Sequence, residues 1–244
     1  MVGLQASRAL DLWERAQQLA PVERAVELAA AAEPQAAIDD VAALPLGRRD
    51  ARLLALRDAS ANPLLDAVAR CPACAERVEF APPAAQLLAA RPAVPAALER
   101  DGYVVRWRPP DSRDVAAAAA ASDAAAAHAL LLERCVLAAC GRDGEVAAGE
   151  LPAAVQAALE ESIAAADPLA EVLFDLTCPA CDGAFVADLD IARFVWAELD
   201  RGARELLCEV DALARAYGWT EPEVLALSDR RRAAYLRLVR EDGA

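Results

Sequence analysis

Residues 176–190 read LTCPACDGAFVADLD, and the same CPAC tetrapeptide occurs at 71–74 inside AVARCPACAERVEF. In the second stretch EVLFDLTC and GAFVADLD have the alternation of two short strands, so CPAC falls at the tip of a hairpin. After the first CPAC, RVEF places Val78 and Phe80 on one side of a strand and Glu79 on the other. A CxxC turn aims two thiolates at one centre, and two such turns supply the four soft ligands that tetrahedral zinc prefers. The flanks resemble each other, so Cys71, Cys74, Cys178 and Cys181 are assigned to one structural Zn site. The long separation of the pairs then requires an inserted unit between two halves of a zinc ribbon. Gly183 suits the tight turn of the second knuckle, whereas the first must turn through Ala75 and Glu76.

Other readings of the cysteines stay open at this level. A thiol oxidoreductase would place CxxC at the start of a helix after a buried strand, but both pairs are followed by extended patterns. Inert reduced cysteines are a further alternative. Cys135, Cys140 and Cys208 lie in apolar or helical segments and read as small buried hydrophobes. Seven cysteines, an odd number without an export signal, argue against a disulfide scaffold.

Outward from the CPAC pairs the chain is mostly helical in pattern. SRALDLWERAQQL, PVERAVELAAAAE, AAIDDVAAL and RRDARLLALRDA read as helices, the first with an apolar side through Leu10, Trp13 and Leu19 and the last through Leu53, Leu54 and Leu56. LLDAVAR reads as a further helical turn, and GYVVRWRP as a strand after the Asp101-Gly102 turn. One Ala-rich helix is expected from about Val115 to Cys140, ended by Gly141, and another from Pro152 to Ala165. DIARFVWAELDRGARELLCEVDALARAY forms a long stripe that Gly218 can stop. Thr220 with Glu223 reads as a capping box, and Ser228 caps the last helix. The expected fold is therefore α+β, predominantly helical, with a small antiparallel zinc-ribbon-like sheet joined by two CxxC knuckles. Its parts are a helical region (1–66), a first knuckle with strands (67–110), an inserted helical region (111–170), a second knuckle hairpin (171–190) and C-terminal helices (191–244), all in one compact unit.

Composition limits the functions available. With 39 Asp and Glu against 25 basic residues the formal charge is −14, which opposes general attraction to nucleic acid or anionic membranes. No secretory or membrane-spanning pattern is seen, so a cytoplasmic protein is expected. His128, the sole histidine, is embedded in AAAAHALLLER and reads as a structural helix residue. The Asp and Glu pairs read as turns and caps, the Arg230–Arg232 run as a solvated face or partner contact, and no phosphate- or dinucleotide-binding fingerprint occurs. No catalytic residue and no organic cofactor site is assigned.

Taken together, CPACAERVEF, GYVVRWRPP, LLERCVLAA, CPACDGAFVADLDIARFVWAELD and ARAYGWTEPEVLALSDRRRAAYLRLV resemble the T4-type baseplate hub assembly chaperone or baseplate protein family of contractile phage tails and tail-like injection systems. The likeness extends to LPLGRRDARLLALRD at 44–58 and departs at Ala75, where the family has Gly, and at Asp211, often His there. It implies a non-enzymatic assembly factor or baseplate component, either in the cytoplasm or incorporated into a particle. It implies partners among hub, baseplate or tube proteins, and a metal-ligand role for the four CPAC cysteines. Trp219, Tyr235 and Leu238 become candidate partner contacts. A zinc-ribbon nucleic-acid-associated module is the alternative from a different class, and it requires a basic, aromatic surface around CPAC.

Overall fold

The computed structural model describes residues 4–57, 63–89, 97–142 and 144–242. Four helices open the chain: α1 (Ala6–Ala16), α2 (Pro21–Ala31), α3 (Ile38–Ala42) and α4 (Leu46–Leu56). Their apolar sides meet the long helix α9 (Ile191–Tyr217) in the main core, where Leu12, Leu28, Leu53, Val195 and Leu199 are buried. Polar contacts fix the crossing points. Trp13 donates its indole N–H to Asp200 at 2.8 Å, and Arg57 grips Glu198 through Nε and Nη2 at 2.7 and 3.0 Å.

Strands β1 (Ala67–Arg70) and β2 (Arg77–Phe80) form the first hairpin, followed by α5 (Ala84–Leu88). AVAR is thus a strand, not the helical turn its Ala content suggests. Pairing with β2 sets its alternating burial, and tertiary pairing overrides a weak propensity. The part of the Pro/Ala-rich connector at 90–96 lies outside the described residues.

The inserted unit holds β3 (Leu98–Arg100), β4 (Tyr103–Trp107), α6 (Ser112–Ala119), α7 (Ala124–Cys135), β5 (Val136–Gly141), β6 (Gly144–Glu145) and α8 (Ala153–Ala166). Its strands form a four-stranded sheet in the order β3-β4-β5-β6. The expected single helix from Val115 to Cys140 is therefore two helices and a strand. Asp123 caps the second helix by accepting from the Ala126 N–H at 2.8 Å, and from Val136 the backbone leaves the helix to pair with β4. Val105, Trp107, Leu132, Val155 and Leu159 form this unit's own core.

A buried polar joint fastens the insert. Asp114, fully buried on α6, receives Arg108 through two hydrogen bonds of 2.6 and 2.9 Å and Arg134 through one of 2.7 Å. On α4, Arg49 donates to Asp50 at 2.7 Å and to Ser112 at 3.2 Å, while the Gly47 N–H donates to Asp167 at 2.8 Å. A Cβ at Gly47 would overlap the Asp167 carboxylate, so glycine is needed for this close approach.

Strands β7 (Leu173–Thr177) and β8 (Ala184–Asp188) make the second hairpin. Beyond α9, Gly218 takes the left-handed φ of 69° that ends the helix. Two short returns follow, α10 (Glu221–Leu225) and α11 (Asp229–Asp242). Glu223 accepts from the Thr220 N–H at 2.8 Å, closing one half of the capping box. The expectation of small antiparallel sheets in a mostly helical chain holds. One shared sheet does not form: the two CPAC hairpins are separate two-stranded ribbons, and the third sheet belongs to the insert.

Candidate metal centre

Both hairpins turn through their CPAC in the same way. In the first, the Ala75 N–H donates to the Cys71 carbonyl at 2.9 Å and the Cys71 N–H to the Glu76 carbonyl at 2.9 Å. In the second, Asp182 donates to Cys178 at 2.9 Å and Cys178 to Gly183 at 3.0 Å. The residue after the second cysteine is left-handed in each, Ala75 at φ 62° and Asp182 at φ 56°. This corrects the assignment of the turn to Gly183, whose φ is not positive. Gly183 provides room instead, since a Cβ there would stand 3.3 Å from the Cys181 sulfur.

The ribbons meet through their inner faces. Phe80 and Phe174 pack with ring centroids 5.3 Å apart, and Val78 joins Leu176 and Phe185 in a small cluster beneath Cys71 and Cys178. At the tips the four sulfurs converge within 4.8 Å of one another. Cys71 Sγ lies 3.7 Å from Cys181 Sγ, and Cys74 Sγ 3.5 Å from Cys178 Sγ. Four thiolates at Zn–S bonds of about 2.3 Å stand roughly 3.5 to 4 Å apart, so the cross-hairpin distances fit a tetrahedral cation. Cys71 and Cys178 are buried; Cys74 and Cys181 are exposed.

Electrostatics point the same way. The backbone N–H of Cys74, then that of Ala73, bring the Cys71 thiol down to about 7. At Cys74 the Glu76 N–H favours the thiolate, yet the neighbouring sulfurs, Cys178 foremost, outweigh it and push the thiol up to about 12. Cys181 is also raised, because the Cys178 and Cys71 sulfurs overcome the help of the Gly183 N–H and of Cys74. Crowded sulfurs resist joint ionisation until a cation neutralises them. The donor set therefore suits a soft divalent metal, and four occupied ligand positions leave none for a reacting water.

The remaining cysteines divide differently from expectation. Cys135 is buried, whereas Cys140 and Cys208 are exposed on β5 and α9. The candidate partner residues also separate. Trp219 stacks on Tyr217 with centroids 4.7 Å apart and meets Tyr235 edge-on at 4.9 Å, above Val210, Leu213 and Val224. Trp219 and Tyr235 thus serve the packing of the C-terminal helices, while Leu238 is 48% exposed. Within the arginine run, Arg232 is buried and paired with Glu209 at 2.6 Å and Asp229 at 2.9 Å. His128 sits exposed on α7 with Nε2 2.7 Å from Glu160 Oε1.

The Asp114 joint was missed by the sequence reading. Its signal was present in PPDSRD, where Asp111 accepts from the Arg113 and Asp114 N–H groups and Asp114 accepts from the Asp111 N–H. No helix among the described residues is long and apolar enough to cross a membrane. Compared with protein-family models, curated proteins and solved structures, the chain matches none of them.

Proposed function

We propose that this chain is a non-enzymatic, protein-binding assembly component whose four cysteines hold one structural Zn. Convergence of Cys71, Cys74, Cys178 and Cys181 from two hairpin tips is the observation that carries this reading. The metal would clip together two ribbons that share no backbone hydrogen bonds and only a small apolar contact. Closing so long an intervening segment at its two ends favours a fixed insert, which is what a docking scaffold requires.

The site of action we propose is the baseplate of a contractile phage tail or tail-like injection system, with hub, tube or other baseplate proteins as partners. Support comes from the sequence likeness of the CPAC segments and of the C-terminal YGWTEPEVLALSDRRRAAYLRLV stretch. The surface around the knuckles disfavours the nucleic-acid alternative. Arg70 and Arg77 are exposed there, but so are Glu76, Glu79, Asp175, Asp182 and Asp188, and phosphate binding needs a net basic patch.

Metal analysis of chelator-free protein tests the first part. One Zn per chain is expected; none, with unchanged stability, sinks it. Fractionation of particles and unassembled subunits tests the second, and absence of this chain from both would remove the baseplate reading while leaving the metal clip intact.

A further inference from the structure

Helices α7 and α8 do not close on each other along their apolar sides. Between them lies a cleft of about 280 Å³. Leu131 and Ile163 are half-buried in its walls and Ala164 is exposed. The His128–Glu160 contact ties the two helices together, and Glu171 stands exposed at the rim with no ion pair among the described residues. The cleft is therefore an apolar slot edged by carboxylates, shaped for an aliphatic side chain that has cationic neighbours.

Such a side chain is present on this same chain, on another surface. Leu238 is 48% exposed on α11. Arg231, seven residues earlier, and Ala234, four earlier, lie on the same helical face, with Arg230 and Arg237 along one flank. Arg232 turns inward to Glu209 and Asp229. Arg230, Arg231 and Arg237 are exposed and form no ion pair among the described residues. On a chain of formal charge −14, α11 thus carries a local basic face centred on an exposed leucine. No α11 residue lines the α7–α8 cleft of its own chain.

We propose that the Leu238 face of α11 docks into the α7–α8 cleft of a second copy of this chain. The two surfaces are different patches of one molecule, so the contact is head to tail. Each copy still offers one free patch after pairing, and the contact propagates into a closed ring or an open row according to the rotation between neighbours. Leucine fills the apolar slot while the flanking arginines face Glu160 and Glu171, and the arginine contribution weakens as salt screens it. The inference is independent of the metal.

The test uses the full, metal-loaded chain in sedimentation velocity at up to about 100 μM, ten times a Kd on the order of 10 μM at the weak end of specific contacts. Leu238→Asp removes the knob at an exposed site, and Ala164→Trp plugs the cleft at another. Leu131→Asp serves as a second cleft variant, with circular dichroism checking that each variant is folded. Wild type is expected to form species larger than dimers, less so at high salt, and each variant alone is expected to be monomeric. Mixing Leu238→Asp with Ala164→Trp leaves one intact knob and one intact cleft, so the mixture should give a species of twice the chain mass and nothing larger. A monomeric wild type overturns the proposal. So do variants that associate like wild type, or a mixture that stays monomeric.

Discussion

Cys74 and Cys178 lie 104 residues apart in the chain, and their sulfurs are 3.5 Å apart. Each is delivered by the tip of its own ribbon, and the ribbons belong to different sheets. The contact therefore spans the whole inserted unit, and a metal held there links the two ends of that unit.

Replacing Cys178, fully buried, with Ser is expected to abolish stoichiometric metal binding. Hydrogen-exchange protection should fall mainly in β1–β2 and β7–β8. The core of α1, α2, α4 and α9 is a separate buried cluster and should keep its protection. Cys208→Ser, on exposed helix surface, should change neither metal content nor exchange. Loss of protection throughout the chain would mean that the metal governs global folding and not a local clip.

Ala75 takes a left-handed φ of 62°, a conformation that costs an L-residue roughly 1–2 kcal/mol and glycine almost nothing. Ala75→Gly should stabilise the metal-loaded protein by about 1 kcal/mol in urea unfolding, after allowance for the greater freedom of glycine in the unfolded chain. Asp182→Gly should gain less, because Asp tolerates this region better than Ala. A loss at Ala75 would show that the knuckle is not built as described.

Two buried aspartates titrate in opposite senses. Burial opposes ionisation of Asp114, but hydrogen bonds from Arg108, the Asp111 N–H and Arg134 hold it at about 2. Its folded pKa lies below the unfolded value, so its stabilisation is present above roughly pH 4 and is lost as pH falls toward 2. Burial pushes Asp50 up to about 6 against the pull of Arg49. That contribution is complete below roughly pH 4 and is lost as pH rises through 6. Urea unfolding against pH should show stability rising between pH 2 and 4 and a falling contribution between 4 and 6. Asp114→Asn should suppress the acid-side rise and destabilise neutral protein by about 1–2 kcal/mol, because the carboxylate is buried but Arg108 and Arg134 stay partly in water and can be solvated when it is gone. An unchanged profile in that variant would remove Asp114 from the joint.

Trp219→Ala should lower stability by about 2 kcal/mol, less than the roughly 3–5 kcal/mol of a fully buried Trp, because this one is only partly buried. Leu238→Ala should alter it by no more than about 0.5 kcal/mol, as for an exposed position. Thermal unfolding of metal-loaded protein separates the two. Equal effects would contradict the division of the C-terminal aromatics into packing and of Leu238 into surface.

Local signals were legible wherever a short-range hydrogen bond or a strong period decided the outcome. Leu53, Leu54 and Leu56 are buried, Gly218 ends α9, and Glu223 reaches back to Thr220. The CPAC hairpin at 176–190 was readable because alternation flanks a turn. Ala-rich runs were not readable in the same way. Alanine supports a helix at little cost but buries little area, so AVAR became a strand once RVEF lay beside it, and LLLERCVLAAC divided at Val136.

The sequence by itself determined the two CPAC turns, the four sulfur donors they carry and the long helix that anchors the core. Tertiary structure decided that the knuckles face each other, because the pairing of Phe80 with Phe174 joins segments far apart in sequence that no local rule connects. It also decided which polar and aromatic residues turn inward. Arg232 is buried and Arg231 exposed, Trp219 packs and Leu238 does not, and Asp114 is buried between two arginines. In each case the residue type permits both fates, and what chooses between them is the neighbour supplied by a different part of the chain.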